Sequence, residues 1–384
     1  MKETTKIRKI LLLSVLFLLA IINPNILNSQ TTERPISATV PFLLIAPDAR
    51  SGAMGDAGVS SSPDVYSQHW NPAKYPFTDK DMGFSISYNP WLRKLVNDIS
   101  LTYLTGYKKF NENQVVSASI LYFTLGNITF TTDQGTPIGD FKPNEFSIDL
   151  AYSRLLSDDL SAGIAGRFIN SNLTQGQDVN KQATKPGQSV AADVSVYYHK
   201  KIKISKQKDA TIAAGLNISN IGSKMSYTES KTFRDFIPTN LRLGPSIAFD
   251  IDQYNSLSFM IDLNKMLVPT PNDSGVPDVG LVSGMFQSFG DAPGGFKEEL
   301  HEIMYSFGAE YWYNKQFALR GGYLYENKYK GNRKYFTLGA GLKYNIFGLD
   351  FAYLIPVETH NPLENTLRFS LLIDFEGVNK QVKK

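Results

Sequence analysis

The chain has 384 residues, a net charge of +3 and no cysteine, which excludes a disulfide framework and a thiolate metal site. Its 39 basic and 36 acidic residues nearly balance. Proteins that bind nucleic acid usually carry an excess of basic residues, so the charge does not indicate such a partner. With 24 Phe, 20 Tyr and 29 Gly but only 42% hydrophobic residues, the composition is unlike that of a core-rich α/β enzyme.

Residues 1–29 have the pattern of a secretory signal peptide. Four basic residues precede an apolar run at 10–22, and the small residue Ser29 follows, after which we expect cleavage. The run of roughly thirteen residues is too short for a transmembrane helix, which needs about 20. No later segment of the sequence is as apolar, so a helical membrane protein is not predicted.

Residues 30–81 are rich in Gly, Ala, Pro and Ser and show no alternating strand pattern. Three glycines spaced three residues apart could form a phosphate-cradling loop, but no strand precedes them and no Lys-Ser/Thr pair follows. We interpret the segment as a compact plug that uses glycine for tight turns and close packing. The expected plug residues are Pro47, Asp48, Arg50, Gly52, Gly55, Gly58, Trp70, Asn71 and Pro72.

Residues 82–376 alternate apolar residues with small or polar ones, the period of two that a strand with unlike faces requires. Ile148 and Leu150, for example, alternate with Ser147 and Asp149. The pattern predicts about fourteen strands, an even number as expected for a single-chain bacterial barrel. The predicted strand centres lie near residues 85, 103, 119, 149, 165, 194, 215, 244, 260, 307, 321, 339, 352 and 370.

The two faces favour an all-β transmembrane antiparallel barrel, with the N-terminal plug in its lumen, over a soluble β-sandwich. A sandwich usually exposes Lys and Glu, whereas the polar face here is mostly small residues with isolated charges of both signs. The apolar face ends in tyrosines such as Tyr152 and Tyr344, which suits the aromatic girdles of a membrane barrel. The charges expected in the lumen are Asp149, Arg167, Asp193, Arg242, Asp250, Asp262, Glu310, Arg320, Glu326, Asp350 and Arg368. They could form a selectivity filter or relay, but we favour a network that braces the wall and holds the plug.

The predicted connections alternate in length. Short ones fall near 110–113, 157–159, 252–255 and 314–315, a moderate basic one at 200–208, and long ones at 126–144, 173–188, 222–238 and 265–300. Outer-membrane barrels have short periplasmic turns and long external loops. We therefore expect both termini, including a polar tail at 377–384, in the periplasm.

The longest of these connections is also the most apolar. Its hydrophobic residues are Val276, Val279, Leu281, Val282, Met285, Phe286 and Phe289. They predict either a short helix folded over the barrel mouth or an exposed apolar surface where a partner docks.

Catalytic chemistry has little support in the sequence. The four histidines at 69, 199, 301 and 360 form no metal pair at i, i+4 and lie in no known hydrolase signature. A barrel phospholipase or deacylase, whose residues meet only in space, remains a minor alternative. We expect no enzymatic activity, no cofactor and no metal.

Several stretches resemble known families. The Gly/Ala-rich segment followed by Trp70-Asn71-Pro72-Ala73 is similar to the N-terminal hatch of the long-chain fatty acid transporter superfamily, whose members are plugged fourteen-stranded barrels. Residues 42–50, 325–336 and 362–369 resemble the PorV (LptO) family of the type IX secretion system of Bacteroidetes.

The resemblance implies a component that binds cargo with a conserved C-terminal domain after translocation and passes it to the surface attachment complex that contains the sortase. The implied partners are the translocon barrel, the cargo, the attachment complex and outer-membrane lipid or lipopolysaccharide. The alternative is a fatty acid transporter-like barrel for hydrophobic solutes, which predicts an apolar pocket between plug and barrel.

Overall fold

The computed structural model describes residues 34–375 except 94–95, 97, 133, 179–181, 206–207, 230–233, 273–274 and 359–360. The predicted signal peptide and the tail at 377–384 lie outside the described residues. None of the helices in the described part of the chain is long and apolar enough to cross a membrane.

Fourteen strands of the described chain close into one antiparallel barrel, in which the first strand pairs with both the second and the last. Each predicted strand centre falls inside one of these strands, so the predicted fold is confirmed. The barrel strands are β1 (Met82–Pro90), β2 (Ser100–Asn111), β3 (Gln114–Thr124), β6 (Asn144–Ser157), β7 (Leu160–Asn172), β8 (Gly187–Ser205), β9 (Lys208–Gly222), β10 (Asn240–Asp250), β11 (Asn255–Met266), β12 (Ile303–Tyr313), β13 (Phe317–Tyr325), β14 (Lys334–Tyr344), β15 (Phe347–Pro356) and β16 (Leu367–Phe375).

A separate two-stranded ribbon, which the sequence did not reveal, projects from the connection between β3 and β6. It consists of β4 (Ile128–Thr131) and β5 (Pro137–Phe141). Most residues of this ribbon are exposed on both faces, so its sequence lacks the apolar and polar alternation by which a barrel strand is recognised.

The alternation of faces follows the sequence pattern. In β6, Ile148 and Leu150 are exposed on the outside of the barrel while Ser147 and Asp149 are buried inside. A closed barrel leaves no unpaired strand edge, so every strand can satisfy its backbone within a bilayer.

Connection lengths also alternate, with one departure from prediction. Two-residue turns at 112–113 and 158–159 lie at one end, which we call the short-turn end. Connections such as 125–143, 173–186, 223–239 and 267–302 lie at the other, the long-connection end. A moderate loop was expected at 200–208. Instead, residues 200–205 continue β8 and Lys208 already begins β9, because the alternating Lys and Ile residues at 200–204 still suit a strand.

The N-terminal segment crosses the lumen before β1 begins. The carbonyl oxygen of Arg34 accepts a hydrogen bond from Lys330 at the long-connection end, at 3.0 Å. Met82, the first residue of β1, pairs with Lys108 near the β2–β3 turn at the opposite end. The described chain therefore begins at the long-connection end. Both termini lie outside the described residues, so their expected periplasmic location stays a prediction. An even number of strands places the start of β1 and the end of β16 at the same end of the barrel. The N-terminal segment adds one more crossing of the lumen before β1, so Arg34 lies at the opposite end.

A charge on the lipid-facing side should destabilise this barrel. Leu150→Lys places an ammonium group at the middle of β6 on the outer face, which should lower the free energy of unfolding in lipid vesicles by about 2–4 kcal/mol. Asn113→Lys, in an exposed short turn, is the control and should change it by less than about 0.5 kcal/mol. Equal effects of the two variants would contradict the assignment of Leu150 to the lipid face.

Candidate functional site

The nine predicted plug residues are all buried, and the structure brings them together inside the barrel. The plug motif has two halves, residues 47–58 and residues 70–72, and Asp48 joins them. Its carboxylate accepts the amide N–H of Ser51 at 2.8 Å, which caps the helix Ala49–Gly52, and the indole N–H of Trp70 at 2.6 Å. The carbonyl of Pro47 accepts a hydrogen bond from Asn89 of β1 at 2.7 Å. The Asp48 side chain thus fixes the segment around Ser51 against the segment around Trp70.

An ion network ties the plug to one side of the barrel. Arg50 donates through Nε and Nη2 to both carboxylate oxygens of Glu310 on β12, at 2.9 and 2.7 Å, and through Nη1 to Asp64 at 2.6 Å. Glu310 also accepts from Arg320 of β13 at 2.7 Å, and Arg320 donates to Asp350 of β15 at 2.7 Å. Such bidentate, charge-assisted contacts fix geometry as well as charge.

The plug glycines lie against the barrel wall and not around an anion site. The amide of Gly55 donates to Thr337 at 2.8 Å, and that of Gly58 donates to Asp262 at 2.7 Å. A Cβ added to Gly55, whose φ is +67°, would stand 2.7 Å from the backbone nitrogen of Tyr323. Because these amides are already bonded to the barrel, they do not form a phosphate-cradling loop.

The second half of the motif rests on the opposite wall. The side-chain amide of Asn71 donates to the carbonyl of Val196 on β8 at 3.0 Å. The carbonyl of Pro72 accepts the hydroxyl of Ser153 on β6 at 2.7 Å. The plug is therefore bonded to both sides of the lumen.

Three charged plug residues were not predicted, namely Asp56, Asp64 and Lys74. Asp56 accepts hydrogen bonds from Arg368 at 2.6 Å and from Tyr335 at 2.5 Å. Lys74 is fully buried and donates only to oxygens within the plug. The available signal was the presence of isolated charges in a segment otherwise rich in Gly, Ala and Ser.

Most of the predicted lumen charges act as braces. All except Asp250 are buried, and many are paired. Arg167, for example, forms ion pairs with Asp149 on β6 and with Asp193 on β8, the latter at 3.1 Å. This pairing supports the bracing interpretation over a relay.

A cavity of about 450 Å³ lies between plug and barrel at the short-turn end. Charged side chains form much of its lining, and the Arg50 network lies at its inner end. The charged residues that line it include Arg50, Asp64, Lys201, Asp250, Lys343 and Asp374. Its lining therefore mixes apolar side chains with many charges, unlike the predominantly apolar pocket that a hydrophobic solute would require.

The predicted docking connection contains two short helices, Leu281–Gln287 and Phe296–His301. Phe286 and Phe289 are exposed, whereas Val276, Val279, Leu281 and Met285 are half-buried. Exposed apolar residues that follow the predicted run, Phe296 and Leu300, were missed because they stand beside Lys and Glu. Val282 and Phe286, like Phe296 and Leu300, are four residues apart, so each pair shares one helix face. We call Val282, Phe286, Phe289, Phe296 and Leu300 the apolar surface.

Buried charges support this apolar surface from below. Lys265 binds Glu299 at 3.0 Å and Glu302 at 2.6 Å, and Lys330 binds Glu298 and also Glu302, the latter at 3.0 Å. Burial opposes the charge of Lys330, but hydrogen bonds to Glu298 and Glu302 raise its pKa above the usual value. The helix Phe296–His301 is thereby fixed to the barrel and to the β13–β14 connection.

The Arg50 network should be essential for stability. Glu310→Gln leaves two buried guanidinium groups without their shared carboxylate, which should cost about 3–5 kcal/mol of unfolding free energy in lipid vesicles. Glu112→Gln, in an exposed turn, is the matched control and should have almost no effect. A Glu310→Gln protein as stable as the control would show that the network does not hold the plug.

The comparisons with known proteins agree with the predicted resemblance. The family model described as "Type IX secretion system protein PorV" matches residues 28–273, more than half of the chain. No curated protein matches the chain in sequence.

Several solved structures are similar to this barrel. The Pseudomonas putida toluene transporter TodX is 11% identical, with 89% of this chain and 98% of that chain covered and a TM-score of 0.50. The Ralstonia pickettii toluene transporter TbuX is 12% identical over 86% and 98% of the two chains, with a TM-score of 0.45. A Pseudomonas aeruginosa FadL homologue is 11% identical over 90% and 100%, with a TM-score of 0.43. At such identities the likeness to TodX concerns the fold alone, whereas the family match concerns the sequence. The chain belongs to the PorV family of type IX secretion system proteins and is an outer-membrane β-barrel component of that system.

Proposed function

We propose that this barrel is a docking component that binds cargo bearing a conserved C-terminal domain after translocation and passes it to the surface attachment complex with the sortase. Its mechanism is protein–protein recognition without catalysis. The translocon barrel, the cargo and the attachment complex are its protein partners, and outer-membrane lipid or lipopolysaccharide surrounds its apolar belt.

The observation that carries this proposal is the apolar surface on the connection 267–302. Phe286 and Phe296 are 75% and 78% exposed, although nothing in the barrel requires large aromatics there. Exposed aromatic residues on a soluble face are typical of interaction sites, and aromatic anchors commonly dominate binding energy. The buried Lys and Glu residues beneath give these anchors a fixed support, which reduces the ordering cost of binding.

In this proposal the long-connection end faces the outside of the cell. Outer-membrane barrels generally place short turns in the periplasm and long loops outside. The sealed lumen then leaves the outer surface as the working part of the molecule.

The alternative function, transport of a hydrophobic solute, gains no support from the cavity. A hydrophobic solute prefers an apolar pocket with few polar groups, whereas the cavity at the short-turn end is lined with many charged side chains of both signs. Uptake of a labelled fatty acid that depended on this protein would favour the alternative.

Deletion of the gene tests the proposal directly. Without the protein, cargo with the conserved C-terminal domain should be absent from the cell surface, because no carrier delivers it for attachment. The wild-type gene supplied in trans should restore display. Cargo that still reaches the surface in the deletion strain would refute the proposal.

A variant of the apolar surface tests the site itself. The double substitution Phe286→Ser and Phe296→Ser should weaken cargo binding by about 30-fold or more, equivalent to about 2 kcal/mol. Folding should be preserved, because both side chains are exposed. Gln287→Ser with Lys297→Ser is the matched control on the same helices. Equal affinities of both double variants for purified cargo would exclude this surface as the docking site.

A further inference from the structure

The start of the described chain forms a strap at the long-connection end of the barrel. We define the strap as residues 34–43. Thr39 donates to the carbonyl of Phe236, in the β9–β10 connection, through its amide at 2.9 Å and its hydroxyl at 3.1 Å. Phe42 and Leu43 are buried and anchor the strap inside the lumen. The ring of Phe42 lies parallel to that of Phe123 on β3, with 6.4 Å between the ring centroids.

The strap also touches the connection that carries the apolar surface. The side chain of Arg34 donates to the carbonyl of Asn272, in the connection 267–302. The carbonyl of Arg34 accepts from Lys330, which also binds Glu298 on the helix that begins with Phe296. A single ammonium group therefore joins the strap to that helix.

The two features are close enough to share one partner. Arg34 and Glu298 bind the same nitrogen atom, and Glu298 is two residues from Phe296. A specific protein interface buries about 800 Å² and some 20–30 residues on each side. A partner centred on Phe296 would thus extend over the exposed strap residues Pro35 and Ser37.

We infer that the strap is part of the partner-facing outer surface, and that Lys330 holds it against the docking helix. The inference rests on the proposed function for the orientation of the barrel. It adds that the chain begins its passage through the barrel from the cell-surface side. The cargo domain is the partner expected to cover the strap.

Cysteine labelling in intact cells tests the placement, because the chain has no cysteine of its own. Single variants S37C in the strap, Q287C in the docking helix and N345C in a short turn are treated with a maleimide polymer too large to cross the outer membrane. S37C and Q287C should react in intact cells, and N345C only after the outer membrane is permeabilised. Added cargo domain should slow the labelling of S37C severalfold.

Each other outcome of the labelling is decisive. If S37C behaves like N345C while Q287C reacts, the strap inference is overturned and the proposed function stands. If Q287C itself reacts only after permeabilisation, the orientation fails and both are overturned. If the cargo domain protects Q287C but leaves S37C fully reactive, the strap is not part of the interface.

The contact with Lys330 has its own test in the S37C protein. Lys330→Gln removes the ammonium group that joins the strap to Glu298, so labelling of S37C should become severalfold faster. Lys297→Gln is the matched control, since Lys297 is exposed on the same helix as Glu298. Equal labelling rates in the two variants would show that Lys330 does not hold the strap.

Discussion

The bidentate ion pair between Arg50 of the plug and Glu310 of β12 is the contact on which the rest of this structure depends. Both groups are buried, and a buried charge without a partner is expensive. Each therefore stabilises the native arrangement only while the other is in place. Because Glu310 also binds Arg320, which binds Asp350, displacing the plug would disturb β12, β13 and β15 together. The plug and the barrel strands consequently stabilise each other through one shared ion network.

This constraint explains how the lumen relates to function. Charges that would line a water-filled pore in an open barrel are instead used to brace strands and hold the plug. The glycine amides that resemble an anion cradle are bonded to Thr337 and Asp262 of the barrel. With the interior occupied by the plug, the exposed polar and aromatic groups lie at the barrel ends. Phe286 and Phe296 are the most exposed large apolar side chains in the described part of the connection 267–302.

Much of the fold could be predicted from the sequence, because a membrane barrel imposes two solvents on each strand. Ile148 and Asp149 are neighbours in sequence yet face lipid and lumen, and this alternation located each barrel strand. The ribbon β4–β5 escaped because most of its residues are exposed on both faces, so it lacks that signal. Partners such as Arg50 and Glu310 are 260 residues apart, and no local pattern relates them. The direction of the plug was also hidden, since strand parity says nothing about a segment that crosses the lumen outside the sheet.

The central claim is that the plug closes the lumen of the barrel to ions. Single-channel recording in planar lipid bilayers tests it most directly. The purified full-length protein should show no stable conductance steps, because the plug is bonded to opposite walls of the lumen. A variant without residues 41–77 should form persistent ion-conducting pores with the width of an empty fourteen-stranded barrel. Stable pores of that size from the intact protein would contradict the account.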